Sequence, residues 1–166
     1  MPLTNRVASS GLQLIEPQRW LEVQQCMSFD VAPGLDRGMV LREKEFRRFL
    51  VGFDWSPFTH QPVAVHCSTP AILPAWTFLL VGRHLLTVGA RPFVGSEHEL
   101  RVLLALEQIQ TEDFSRFMGQ RVVIKGCGDE KSDRLSLALL VRLQPVALSI
   151  LYGEPCSTVP IYKKGT

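Results

Sequence analysis

Short apolar runs alternate with amphipathic stretches over the last two thirds of the chain. Four runs have the length and β-branched content of buried strands: residues 62–67, 90–94, 121–125 and 147–151. Three intervening stretches carry apolar residues at helical spacing: residues 70–88, 97–110 and 132–143. Because strands that alternate with helices of this length are joined by parallel crossovers, we predict an α/β fold, a mostly parallel sheet with βαβ crossovers in this part.

The first sixty residues show a weaker pattern. Residues 28–31 and 39–41 could form strands around a turn at Pro33-Gly34, and residues 43–51 have the spacing of a short helix. We expect this N-terminal β/α extension to add edge strands and a cover to the sheet. No internal repeat, low-complexity tract or linker is apparent, and 166 residues suit one hydrophobic core, so residues 1–166 are predicted to form a single domain.

Composition and charge exclude several classes of function. The net charge is only +2, and the one basic cluster, at residues 42–48, is interleaved with glutamates, as on a solvated helix face. Nucleic acid and anionic membranes are therefore not expected partners. The start lacks an apolar signal segment, and the most apolar stretch, residues 71–86, is interrupted by Pro74, Gly82 and Arg83, so no membrane span is expected. Four cysteines without close pairing fit a reducing compartment, which predicts a cytoplasmic protein with thiols available.

Three cysteines follow predicted strands. Cys67 ends the first of the four runs, Cys127 lies two residues beyond the third, and Cys156 lies five residues beyond the fourth. In one parallel sheet all carboxyl ends point the same way, so these cysteines are expected on one rim, where open α/β sheets usually bind ligands. Cys26 lies outside this pattern.

Thiolates are the ligands that hold zinc, iron or an iron–sulfur cluster, and three of them leave a fourth position open. Glu154 is the first candidate for that position because it shares a loop with Cys156, whereas His66 and His98 are alternatives. A helix start after Cys67 and the nearby Lys125 would favour ionised sulfur. The predicted metal site is Cys67, Cys127, Cys156 and Glu154.

Other interpretations of the same residues remain open. The protein could be a thiol enzyme or sulfur carrier in which Cys127 or Cys156 is the nucleophile, or the cysteines could be structural. It could also be a non-catalytic scaffold whose exposed Trp55 and Phe58 form a homodimer or partner surface. The chain has no P-loop, no Gly-x-Gly-x-x-Gly after a strand, no His-Glu-x-x-His and no Cys-x-x-Cys.

Several phrases resemble one bacterial family. They are NRVASSGL at 5–12, LREKEFR at 41–47, DWS at 54–56, ILPAW at 72–76, RVVIKGC at 121–127 and YGEPCSTVP at 152–160. Together they resemble the family catalogued as domain of unknown function 2480, almost from end to end. The resemblance implies no established reaction. Genes of this family often lie beside those of the sulfur-mobilisation machinery for iron–sulfur assembly. The resemblance therefore implies iron–sulfur assembly proteins as partners.

One position departs from the family pattern. Family members tend to carry an acidic residue in the phrase after Ser68, where this chain has Pro70. A carboxylate at that place is therefore not available as a ligand or base, and Glu154 stays the carboxylate candidate.

Overall fold

The computed structural model describes residues 11–126, 133–154 and 157–165. The chain folds into two compact units: Gln25–Arg101, and Met1–Gln24 together with Val102–Thr166. We call them the inserted unit and the outer unit. Within the described ranges, no helix is long and apolar enough to cross a membrane.

The inserted unit contains a three-stranded parallel sheet. Its strands, in the order β2-β3-β4, are β2 (Met27–Asp30), β3 (Pro62–His66) and β4 (Arg91–Val94). Helix α2 (Glu43–Gly52) precedes β3, and helix α3 (Ala75–Thr87) connects β3 to β4. The apolar core packs one face of β2 and β3 against both helices.

The outer unit contains a four-stranded sheet. Its strands, in the order β1-β5-β6-β7, are β1 (Leu12–Ile15), β5 (Arg121–Ile124), β6 (Ser149–Glu154) and β7 (Ser157–Lys163). The first three are parallel, and β7 is antiparallel to β6. Helix α1 (Gln18–Glu22) follows β1, helix α5 (Asp133–Leu143) connects β5 to β6, and helix α4 (Glu97–Thr111) begins in the inserted unit and ends in the outer one.

The predicted α/β class with mainly parallel strands is confirmed, and the strand expected at residues 28–31 is present as the edge strand β2, whereas β1 was not predicted. The strands form two sheets rather than one. Residues 39–41 make no strand, only an isolated bridge between Asp36 and Val40. Helix α3 starts later than predicted because Pro74, extended at ψ 147°, is its N-cap. Strand β7 was not predicted, and its pairing extends β6 to Glu154.

Trp55 and Phe58 lie in the core of the inserted unit. Their side chains are 8% and 6% exposed. The Phe29 ring stacks on Trp55 with 5.0 Å between ring centroids and packs edge-on against Phe58 with 6.2 Å between centroids. The Trp55 indole N–H donates to the carbonyl of Leu50 at 2.9 Å. The prediction that these rings form a partner surface is wrong, because the 3₁₀ turn that carries them turns both rings inward.

The two units repeat one motif. In the inserted unit, Asp54 precedes the 3₁₀ turn Ser56–Phe58, which leads into β3. In the outer unit, Asp113 precedes the 3₁₀ turn Ser115–Phe117, which leads into β5. Each of these strands is central in the motif, follows a helix, and continues through a second helix into a parallel strand.

Hydrogen bonds at the start of the motif are repeated as well. Asp54 Oδ1 accepts the amide of Ser56 at 3.0 Å, and Asp113 Oδ1 accepts the amide of Ser115 at 2.8 Å. The Ser56 amide lowers the pKa of Asp54, and the Ser115 hydroxyl and amide lower the pKa of Asp113. Both carboxylates therefore stabilise the same kind of turn.

The next step of the motif requires a left-handed residue. His60 has φ 58° and Gly119 has φ 68°. Their amides donate to equivalent carbonyls, His60 to Val88 at 3.2 Å and Gly119 to Val146 at 2.9 Å. The repeat therefore extends to backbone conformation.

Strand register completes the correspondence. Pro62 of β3 pairs with Arg91 of β4, and Arg121 of β5 pairs with Ser149 of β6. One copy is inserted after the first strand of the other, because β1 precedes the inserted unit and β5 follows it. The expectation of no internal repeat is wrong, because residues 54–65 and 113–124 align without a gap and share Asp, Ser, Phe, Gln and Val at five of twelve positions.

Candidate metal centre

The carboxyl ends of β5 and β6 lie side by side in the outer unit. The two strands are parallel neighbours with Ile124 paired to Tyr152. A Cβ on Gly126 would lie 3.0 Å from Tyr152 Cε1 and 3.2 Å from Gly153 Cα. Glycine is thus what lets the backbone just before Cys127 approach the end of β6.

Gly153 is constrained from the other side. Its φ is 122°, and a Cβ there would meet the carbonyl oxygen of Ser157 at 2.6 Å. Only glycine fits this conformation, which lies in the pairing of β6 with β7. The two specific glycines of this rim, Gly126 and Gly153, therefore bring together the segments that lead to Cys127 and Cys156.

Glu154 ends β6 with a half-buried side chain. Its Oε1 atom is buried, and no hydrogen-bond donor among the described residues contacts it. A buried carboxylate oxygen without a partner is costly, so such atoms commonly mark a place where an ion or ligand completes the shell. The role of Glu154 as a metal ligand stays a prediction.

A charged pair lies on the same rim, at the end of β1. Lys125 Nζ donates to Glu16 Oε1 at 2.9 Å, and the Lys125 amide donates to the carbonyl of Ile15 at 2.8 Å. The ammonium predicted to favour ionised sulfur is thus bound to a carboxylate. These two bonds hold Lys125, the residue after β5, against the end of β1.

The predicted sulfur ligands are distributed over both units. Cys127 and Cys156 lie outside the described residues, whereas Cys67 follows β3 in the inserted unit. Because β3 and β5 belong to different sheets, the expectation that parallel strands of one sheet end on one rim does not apply to Cys67 and Cys127. Among the described residues there is no group of three or more His, Cys, Asp or Glu side chains placed to hold a metal. The three-cysteine site stays a prediction.

Cys67 is half-buried and acts as a hydrogen-bond donor. Its Sγ lies 3.3 Å from Thr69 Oγ1, and the Thr69 hydroxyl donates to the carbonyl of Gly38. A threonine hydroxyl has one hydrogen, so the bond between sulfur and Thr69 must be donated by the thiol. In this geometry the hydrogen bond from Cys67 to Thr69 anchors the loop that follows β3.

Asp30, at the end of β2, organises that loop. Its Oδ1 accepts the amides of Ala32 at 3.0 Å and Ser68 at 2.9 Å, and its Oδ2 accepts the Ser68 hydroxyl at 2.6 Å. Partial burial opposes ionisation, but these hydrogen bonds and the nearby His66 outweigh it and lower the pKa of Asp30. Sequence reasoning missed this residue. Two features of the sequence could have indicated it: Asp30 ends the strand expected near residues 28–31, and Ser68 follows the next predicted strand.

Three other titratable residues singled out in the sequence have separate environments. The Cys26 thiol lies 3.7 Å from the carbonyl of Glu97, which agrees with its place outside the predicted site. His66 ends β3, and its carbonyl accepts the amide of Val31. His98, in α4, has a buried Nε2 without a partner among the described residues.

Comparison with known proteins leads to a family and no activity. No curated protein and no solved structure matches the chain. One family model, described as protein of unknown function (DUF2480), matches residues 2–164. The resemblance carried by the Lys125-Gly126-Cys127 phrase and the closing segment is confirmed, and the chain belongs to this family.

Proposed function

We propose that the protein binds a thiophilic metal, as a zinc or iron ion or an iron–sulfur cluster, at the ends of β5 and β6. Cys127, Cys156 and Glu154 are the ligands from the outer unit, and Cys67 is a further sulfur ligand. In a cytoplasmic setting such a protein would act as an accessory to iron–sulfur assembly and would contact assembly proteins.

The single observation that carries the proposal is the buried Oε1 of Glu154. Glu154 ends β6, and Gly153, the residue before it, lies against Gly126. Gly126 is the residue before Cys127 in the sequence. Glu154 and Ser157 form the last pair of the β6–β7 ladder, and Cys156 lies between them in the sequence. Two thiols therefore lie close in sequence to these glycines and to a carboxylate that has no donor among the described residues.

The chemistry of these donors fits the proposed metals. Thiolate sulfur and carboxylate oxygen are both ordinary ligands of zinc and iron, and a metal would compensate the buried carboxylate charge. Cys67 differs, since binding through its sulfur would require it to give up its hydrogen bond to Thr69. We therefore expect Cys67 to contribute less to metal retention than Cys127 and Cys156.

Elemental analysis and visible spectra of anaerobically purified protein test the proposal. Wild-type protein should retain stoichiometric metal, and a Cys127→Ser, Cys156→Ser double variant should lose it. Glu154→Gln should release metal faster to a competing chelator, because it replaces a charged ligand by a neutral one of the same shape. Cys26→Ser is the matched control and should retain metal as the wild type does.

Two results would overturn the proposal. One is wild-type protein without metal after growth in both zinc-replete and iron-replete medium. The other is unchanged metal content in the double variant. If metal is absent and Cys127 or Cys156 is alkylated much faster than Cys26 at neutral pH, the thiol enzyme or sulfur carrier becomes the better interpretation.

A further inference from the structure

The outward face of α3 carries a stripe of exposed residues that are apolar except for Arg83. Trp76, Leu79 and Leu86 are 36%, 73% and 64% exposed, and Arg83 is the charged residue among them. Their spacing of three and four residues places them on one stripe of the helix. Helices on the outside of an α/β unit normally expose polar side chains, so a stripe of this kind indicates a surface that is covered in the working protein.

The apolar surface continues beyond the helix on both sides. Ile72, three residues before α3, is 96% exposed, and Val94, at the end of β4, is 59% exposed. A groove of about 550 Å³ lies between α3 and β4, and Gly82 leaves its floor open, since a Cβ there would meet only Pro92, at 3.8 Å. A second helix could therefore approach α3 closely along this side.

We propose that the α3 stripe is a homodimer interface, in which two copies of the chain pack α3 against α3 in antiparallel orientation. The stripe is self-complementary under a two-fold axis near Leu79. Its N-terminal half, with Ile72 and Trp76, then faces the C-terminal half of the partner stripe, with Arg83 and Leu86. A two-fold contact requires this reciprocity, because each copy supplies both halves.

Charge complementarity selects a second copy as the occupant. The single cation of the stripe, Arg83, meets the single aromatic ring of the partner's stripe, Trp76, and arginine over indole is a favourable cation–π pair. Glu43 lines the surface beside Trp76 and already binds Arg47 at 2.9 Å. A carboxylate can accept a second guanidinium, as Glu112 of this chain does with Arg19 and Arg116.

The interface has the composition of a small dimer contact. Specific interfaces bury about 800 Å² on each partner, with an apolar centre and a polar rim. The stripe and its groove supply the centre, and Glu43, Arg47 and Arg83 supply the rim. A homodimer was also considered from the sequence, with Trp55 and Phe58 at its surface. Those residues are buried, and the α3 stripe takes their place as the proposed interface.

Sedimentation velocity across a concentration series tests the interface on the full chain. Wild-type protein should dimerise reversibly, and Leu79→Arg should be monomeric throughout, because two buried cations would meet at the axis. Arg83→Glu should raise the dimer Kd at least about tenfold, since two cation–π contacts are lost. The matched control is Leu137→Arg on α5, which is 62% exposed at the corresponding place in the outer unit and should leave the dimer intact.

The positions chosen are exposed, so circular dichroism should show every variant folded. A wild type that stays monomeric at all concentrations overturns the proposal. So does a dimer that survives Leu79→Arg, or one that Leu137→Arg disrupts equally. Metal content is measured on the same samples and should not change, which separates this proposal from the metal centre.

Discussion

The two units use the carboxylate after their first strand in different ways. In the inserted unit, Asp30 accepts three hydrogen bonds and fixes the loop that follows β3. In the outer unit, the corresponding Glu16 is half exposed and forms an ion pair with Lys125. In the inserted unit, Asp30 therefore binds the amide and hydroxyl of Ser68, which follows β3. In the outer unit, the exposed Glu16–Lys125 ion pair and the close approach of Gly126 to Gly153 hold the end of β5.

This difference has a consequence for chemistry. Where Asp30 fixes the loop, the cysteine that follows β3 is engaged as a thiol donor. Where the loop is held by Gly126 against Gly153, a buried carboxylate oxygen of Glu154 stays without a donor among the described residues. A duplicated scaffold can therefore keep one rim for stability and release the other for a ligand.

The largest expected effect comes from the aromatic residue that both copies share. Phe58→Ala and Phe117→Ala each remove a buried ring, 6% and 5% exposed, and should lower the free energy of unfolding by about 3–5 kcal/mol. If residues 1–166 form one domain, as the sequence predicts, each variant should reduce amide protection in both units. Hydrogen exchange followed by mass spectrometry measures this, and protection lost in only one unit would contradict the single-domain prediction.

A smaller effect is expected at the position after the first strand. Asp30→Asn keeps one neutral oxygen for the two amides but replaces the acceptor of the Ser68 hydroxyl by an NH2 group, and it should cost about 1–3 kcal/mol of stability. Glu16→Gln is the matched change in the outer unit and should cost at most about 1 kcal/mol, because it removes an exposed ion pair. Urea unfolding at neutral pH compares them, and equal losses would contradict the different roles assigned to the two carboxylates.

The Asp30 contribution also has a definite pH dependence. The pKa of Asp30 is lower in the folded protein than its ordinary value of 3.8, so the folded state binds fewer protons than the unfolded state. The stabilisation is therefore fully present above the unfolded value and is lost as pH falls from about 4 through the folded pKa. Below that range the difference between wild type and Asp30→Asn should shrink, which acid titration of the urea midpoint measures.

The fold was largely predictable because its signals are local. Buried β-branched runs and helical spacing located β3, β5, α4 and α5 within a few residues. What escaped prediction depends on distant pairing: β7 is stabilised by β6, and the inward rings of Trp55 and Phe58 pack on Phe29. Neither contact leaves a pattern in its own segment.

The candidate site was predictable only in part for a similar reason. Placing cysteines at strand ends requires only local pattern, but whether strands share a sheet depends on pairing across the chain. Glu154 therefore stays a prediction from the sequence, which missed both Asp30 and the separation of β3 and β5 into two sheets. The repeat was missed although residues 54–65 and 113–124 share five of twelve side chains, because so short a match stands out only once both segments are known to lead into equivalent strands.

The smallest expected effect sharpens the repeat itself. Gly119→Ala places a Cβ at φ 68° and should cost about 1 kcal/mol, whereas His60→Gly relieves a side chain held at φ 58° and should stabilise by up to about 1 kcal/mol. The opposite signs follow from one backbone requirement met by different residues. Urea unfolding of both variants measures the two changes.

His60→Gly changes a side-chain contact as well as the backbone. The His60 ring packs against Gly89, with Nδ1 only 2.6 Å from the point where a Cβ of Gly89 would lie, and His60→Gly removes that contact. His60→Ala resolves this, since it removes the ring and keeps the strained backbone. If His60→Gly is no more stable than His60→Ala, the left-handed conformation is not the feature that the two copies share.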